Sequence, residues 1–149
     1  MSKERARLIE AVHLLPIKDG KILLLRRFQT GYQDGNYSVV AGHLDQGEWT
    51  ASAMIREAEE EAGITITPED LKMVHVMHRK ASPDRDGIDF FFMVERWDGE
   101  IKNMEPHKCD DLSWFAFDQL PSNMVPYVRT GIERYREGKI FSEFDERAK

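Results

Sequence analysis

The chain has 149 residues, 41% of them apolar and 32% charged, the composition of a folded globular protein and not of a disordered or low-complexity segment. A formal net charge of −6 excludes a broadly basic face for nucleic acid or anionic lipid, so a polyanionic substrate would need a cation as intermediary. Cys109 is the one cysteine, which rules out an intramolecular disulfide and fits a reducing compartment. No apolar run approaches the roughly 20 residues of a membrane span. The N-terminal run is broken by His13 and Pro16 and carries no small-residue cleavage pattern, so a cytoplasmic location is expected. At this length a single domain over residues 1–149 is expected, burying about two thirds of the surface its unfolded form exposes.

Residues 8–16 (LIEAVHLLP) and 21–27 (KILLLRR) are apolar runs on either side of Asp19-Gly20, a strong hairpin signal. The stretch after them holds Gly31, Asp34 and Gly35 in quick succession and predicts a long surface loop of the kind that lines a site. YSVVAG (37–42) reads as a short strand entering a second loop, HLDQGE. From Thr50 to Ala62 the period becomes helical, with Ala51, Ile55, Ala58 and Ala62 on one narrow stripe and Gly63 placed to end the helix on a left-handed residue. ITIT and the turn PED follow. Two strand candidates, 71–80 and 88–97, are split by the turn-rich SPDRDG. The remainder predicts a loop at 98–111, a strand near LSWFAF and an amphipathic helix within residues 123–137 whose Val125, Val128 and Ile132 face the core. Elements without a regular βαβ rhythm predict an α/β (α+β) protein with a mixed sheet and helices on both faces.

The chemistry concentrates in REAEEEAG, residues 56–63. At 100° per residue, Glu57, Glu60 and Glu61 fall within an arc about 100° wide that points away from the apolar stripe, while Glu59 points elsewhere, to solvent. The helix is therefore expected to pack by one side and display three carboxylates on another. Like charges at this spacing repel, and a hard divalent cation with oxygen ligands relieves the repulsion. A glutamate-rich face alone is more often a solvated surface. Here Gly42 and Gly47 bracket a tight loop before Glu48, glycine lets a backbone carbonyl approach a ligand, and Arg56 is placed to pair with Glu48 or another carboxylate.

Residues 42–64, GHLDQGEWTASAMIREAEEEAGI, resemble the signature of the Nudix hydrolases: Gly42, Glu48, Arg56, Glu57, Glu60, Glu61, Gly63 and Ile64 match, with Ala58 a small variant of an aliphatic position. The segment FFMVERWDGEIKNME is similar to the region of MutT-type nucleoside triphosphate pyrophosphohydrolases that carries a further metal-binding glutamate, here Glu105. LPSNMVP is similar to a loop with a base-contacting asparagine, Asn123, and Arg27 matches an arginine near the nucleotide. The chain departs from the family at Val40-Ala41, where Pro-Gly is frequent, and at Trp49. It lacks the proline of ADP-ribose-specific members and the tyrosine of dinucleoside polyphosphate members at His78 to Ser82, which disfavours both substrates.

The resemblance implies an α/β/α sandwich with a mixed central sheet and Mg²⁺-dependent (or Mn²⁺-dependent) hydrolysis of a nucleoside diphosphate linked to another group. A nucleoside triphosphate giving monophosphate and pyrophosphate leads; the alternatives are nucleotide sugars, ADP-ribose or dinucleotides, or a sensor that binds a nucleotide without turnover. It implies metal ligands at Gly42, Glu57, Glu60, Glu61 and Glu105. The catalytic set is Glu57, Glu60 and Arg56, with Glu57 either base or ligand and Arg56 an orienter. Arg27, Tyr32, His43 and Asn123 are candidates for substrate contact, and Gly47, Glu48 and Gly63 for structural support. The partner is a small nucleotide, with no membrane or nucleic acid expected and the oligomeric state open, a homodimer included. His13, His75 and His78 show no zinc-ligand spacing and read as satisfied or exposed, and Cys109 as inert.

Overall fold

The structure, a computed structural model, describes residues 3–82 and 85–147. Its strands are β1 (Leu8–Lys18), β2 (Lys21–Arg27), β3 (Tyr37–Ser38), β4 (Val40–His43), β5 (Lys72–Ser82), β6 (Arg85–Val94), β7 (Cys109–Ala116) and β8 (Phe141–Asp145), and its α-helices are α1 (Thr50–Ala62) and α2 (Pro126–Arg136). The β1–β2 hairpin turns on Asp19 and Gly20, both at positive φ (53° and 74°), as a two-residue turn matched to strand twist requires. Residues 83 and 84, the centre of the expected β5–β6 turn, lie outside the described residues, and the two strands pair antiparallel around them.

The sheet is mixed. Its order is β3-β2-β1-β6-β5-β8, with β4 also on β1 and β7 also on β2. β1 runs parallel to β6 and antiparallel to β4, and β8 runs parallel to β5. Because β1 is covered on both faces it is an unbroken buried run from Ala11 to Pro16. Val12 and Leu14 pack with Val40, Ala53, Met54, Ala58 and Ile64 under α1. Leu15 packs on the other face with Phe91, Val125, Val128 and Ile132 under α2. The mixed sheet between two helices is the expected architecture.

Three local readings are corrected. β7 begins at Cys109, inside the stretch expected to be a loop, because Cys109, Asp111 and Leu112 pair with β2, with Asp110 at an irregularity between them. β8 is a strand where none was predicted. The face of α1 is also different: the buried residues are Ala53, Met54, Glu57, Ala58 and Ala62, so Glu57 belongs to the packed side and is not displayed away from it. The three histidines are held by protein partners: His13 Nε2 meets Asp89 Oδ1 at 3.0 Å, His75 meets the Lys139 carbonyl at 2.8 Å and Ser142 Oγ at 2.7 Å, and His78 meets Asp86 Oδ2 at 3.0 Å. Cys109 is buried, and that burial pushes its thiol pKa up, as an unreactive cysteine requires. Among the described residues, no helix is long and apolar enough to cross a membrane.

Candidate active site

α1 is fixed at both ends by the loops that flank it. Gly63 takes the left-handed conformation (φ 70°) and its amide donates to the Glu59 carbonyl at 3.1 Å. The carbonyls of Glu61 and Ala62, left without partners by the end of the helix, accept from Met104 and Lys102 amides at 3.2 and 2.9 Å. This docking brings Glu105 beside the last turn of α1. Asn103 holds the same loop, its Nδ2 donating to the Cys109 carbonyl at 2.7 Å and its Oδ1 accepting from the Glu105 amide at 3.1 Å.

Arg56 organises the other end. Its guanidinium donates to both oxygens of Glu48 (Nε 2.8 Å, Nη2 3.0 Å), to Glu57 Oε1 (2.8 Å), to Glu60 Oε2 (3.3 Å) and to the His43 carbonyl (3.1 Å). Glu48 also accepts from the Asp45 amide at 2.9 Å. The bidentate Arg56 pair and that amide hold the Glu48 carboxyl down at about 2, and Arg56 is raised in turn by Glu48. Gly47, at φ 81°, makes the turn that brings Glu48 back onto the helix. Arg56 is thus taken up by protein partners and acts on Glu57 and Glu60 by orienting them.

The carboxylates sit at the seam between α1 and β4. Glu57 packs directly against Gly42: a Cβ built there would stand 2.7 Å from Glu57 Oε2 and nearer still to Cδ and Oε1. Glu61 lies beneath, accepting from the Ala41 amide at 3.4 Å. Burial, then hydrogen bonding with Glu57 and its charge, and the charge of Glu105, push the Glu61 pKa well up. Oxygen donors that crowd together against their own repulsion suit a hard divalent cation. Among the described residues no three acidic or histidine side chains converge into a closed ligand cluster; Glu57 and Glu60 are turned toward Arg56.

A cleft of 490 Å³ opens over this seam, lined by Glu57, Glu60, Glu61 and Glu105 together with Arg27, Lys108, Gln29 and Thr30. Among the described residues neither Arg27 nor Lys108 has a carboxylate within ion-pair distance. Lys108 was not signalled by the sequence. It arrives because β7 pairs with β2 so that Cys109 stands opposite Arg27, and because its carbonyl accepts from the Phe28 amide at 2.9 Å.

The NUDIX domain family model matches residues 7–135. The chain belongs to the Nudix hydrolase family. The 8-oxo-dGTP diphosphatase of Escherichia coli (strain K12) is 30% identical over 120 residues, 79% of this chain and 91% of that protein. The NAD-capped RNA hydrolase NudC of Pectobacterium carotovorum subsp. carotovorum (strain PC1) is 30% identical over 113 residues, 76% of this chain. This Nudix chain spans 41% of that relative's length. The crystal structure of a MutT NUDIX hydrolase from Burkholderia pseudomallei superposes with a TM-score of 0.78 at 25% identity, covering 85% of this chain and 97% of that one.

Nudix hydrolases generally use divalent metal ions. The remaining candidates are placed apart from the cleft lining. Tyr32 is half exposed on the 28–36 loop, its hydroxyl donating to Glu146. His43 is exposed at the end of β4. Asn123 Nδ2 donates to the Gly35 carbonyl at 2.8 Å, and its own carbonyl accepts from the Tyr37 amide at 2.8 Å, tying two loops together.

Proposed function

We propose that this Nudix hydrolase cleaves a nucleoside triphosphate between its α and β phosphates with Mg²⁺, adding water across the anhydride to release monophosphate and pyrophosphate. The observation that carries this reading is a single cleft lined both by four glutamates, from α1 and its docked loop, and by the cationic side chains Arg27 and Lys108. An anhydride with several phosphoryl groups meets both demands, offering oxygens to a cation and to fixed positive side chains. The relative of nearly equal length acts on 8-oxo-dGTP, which supports a triphosphate over a longer substrate.

Glu60, Glu61 and Glu105, with the Gly42 carbonyl, are assigned to hold the ion. Bound there, it would neutralise charge on the phosphoryl oxygens and lower the pKa of water. Arg27 and Lys108, which line the same cleft, hold the terminal phosphates. Glu57 is assigned to accept the proton of the attacking water or to complete the ion's ligands, a role its bond to Arg56 at 2.8 Å supports by fixing the carboxylate.

The test is incubation with Mg²⁺ and a panel of nucleoside triphosphates, ADP-ribose, nucleotide sugars and dinucleotides, with products identified by chromatography. Turnover of triphosphates to monophosphate and pyrophosphate is expected. Release of orthophosphate, or preference for a dinucleotide, would overturn the substrate assignment.

A further inference from the structure

β8 lies beyond residue 135, where the family match ends, yet it is wired to the cleft. It joins the edge of the sheet parallel to β5, and just past it the Glu146 amide donates to the Lys80 carbonyl at 2.9 Å. One oxygen of the Glu146 carboxylate accepts from Arg79 Nη1 at 2.7 Å and the other accepts from the Tyr32 hydroxyl. Arg79 is itself immobilised: Nε and Nη2 donate to Asp89 at 2.8 and 3.2 Å, and its guanidinium lies 3.9 Å from the centroid of the Tyr127 ring. Asp89 is fully buried and bonded to His13.

At the other end Tyr32 meets Arg27, one of the two cations lining the cleft. The Tyr32 carbonyl accepts from Arg27 Nε at 2.6 Å, and the guanidinium sits 5.2 Å from the Tyr32 ring centroid. Arg27 Nη2 donates to Thr30 Oγ1 at 3.0 Å, so both of these bonds come from the 28–36 loop. That loop carries Gln29 and Gln33 at φ 53° and 51°, a left-handed conformation that non-glycine residues hold only when their surroundings impose it. Asp34 closes the loop on Thr30 and Gly31 from within, and Glu146 is its tie to the C-terminal strand.

We propose that Tyr32 and Glu146 are positioning residues: the C-terminal strand, anchored on the buried Arg79–Asp89–His13 chain, holds the 28–36 loop so that the Arg27 guanidinium faces the substrate phosphates. The inference rests on the reading of Arg27 as a phosphate contact. Burial and the neighbouring Glu146 raise the Tyr32 pKa, so its hydroxyl stays protonated and remains a donor across the working pH range. The family signature contains neither residue. Tyr32 lies on the 28–36 loop within the matched region, and Glu146 lies just past β8, outside it.

The test is steady-state kinetics with Mg²⁺ and the preferred nucleoside triphosphate for Tyr32→Phe, Glu146→Gln, Arg27→Ala and the Tyr32→Phe/Arg27→Ala double variant. Tyr32→Phe and Glu146→Gln should each raise KM about fivefold, the factor corresponding to one ordinary hydrogen bond, with kcat changed less than about twofold. In the Arg27→Ala background Tyr32→Phe should add nothing, since its effect passes through Arg27. A normal KM in both single variants, or an effect of Tyr32→Phe that adds in full to Arg27→Ala, would overturn the inference while leaving the phosphate contact intact. A normal KM in Arg27→Ala would overturn the phosphate contact, and the inference with it.

Discussion

Gly42→Ala tests the seam at its narrowest point. The new Cβ would stand 2.7 Å from Glu57 Oε2, whereas ordinary contact begins near 3.4 Å, so the carboxylate must retreat. A glutamate end can move cheaply when it has open space, but this side chain is only 12% exposed and is bonded to Arg56 Nη1 at 2.8 Å. Retreat therefore breaks a charge-assisted bond, at a cost of about 1.5–3 kcal/mol, which for a chain of this length lowers Tm by about 3–12 °C. Displacement of a reacting group by about 1 Å can reduce kcat on the order of 100-fold. Thermal denaturation followed by circular dichroism, with pyrophosphate release as the activity assay, reads both effects. In a Glu57→Ala background, Gly42→Ala should be neutral within about 0.5 kcal/mol, because the clash is with that carboxylate. Unchanged Tm and kcat in Gly42→Ala, or a cost that persists without Glu57, would refute the argument.

Asp89→Asn should destabilise the protein at pH 7 by about 3 kcal/mol, because an amide N–H would then face the Arg79 or His13 donors inside the fold. Burial alone pushes the Asp89 pKa up, but His13 and Arg79 together hold it below the ordinary 3.8. Its charge therefore contributes stability above pH 3.8 that is lost as pH falls through the folded-state value, so the cost of Asp89→Asn measured by urea unfolding should shrink in that acid range. An equal cost at both pH values would contradict the assignment. Gly131→Ala places a Cβ 2.5 Å from Phe91 Cζ and 2.7 Å from Cε1, against a rigid buried ring; it should cost about 1–3 kcal/mol with kcat/KM retained, and an unchanged Tm would show that α2 can shift freely.

What the sequence revealed and what it concealed follow from the range of the forces involved. The Asp19-Gly20 hairpin and the bounds of α1 were legible because positive φ at those positions is a local demand that few residues meet. The Val125, Val128 and Ile132 stripe was legible because helical spacing repeats a single environment. The burial of Glu57 was not, because a helical wheel equates burial with apolarity; here the absence of a side chain at Gly42 and the adjacent Arg56 make room for a carboxylate inside the seam. Lys108 joins the cleft through strand register, and the path from His13 to Tyr32 gathers residues from β1, β5, β6, the C-terminus and a loop. No spacing along the chain encodes such a path. β8 was missed for a similar reason, since FSEFD alternates over only five residues and becomes a strand by adding to the exposed edge of β5.

The most direct test of the central claim is product analysis by phosphorus NMR with a nucleoside triphosphate and Mg²⁺, run in parallel on the unaltered chain and on Glu60→Gln and Glu61→Gln. The seam carboxylates predict monophosphate and pyrophosphate from the unaltered chain, and a loss of at least about 100-fold in rate in both variants. Full activity in either variant, or orthophosphate as the first product, would contradict it.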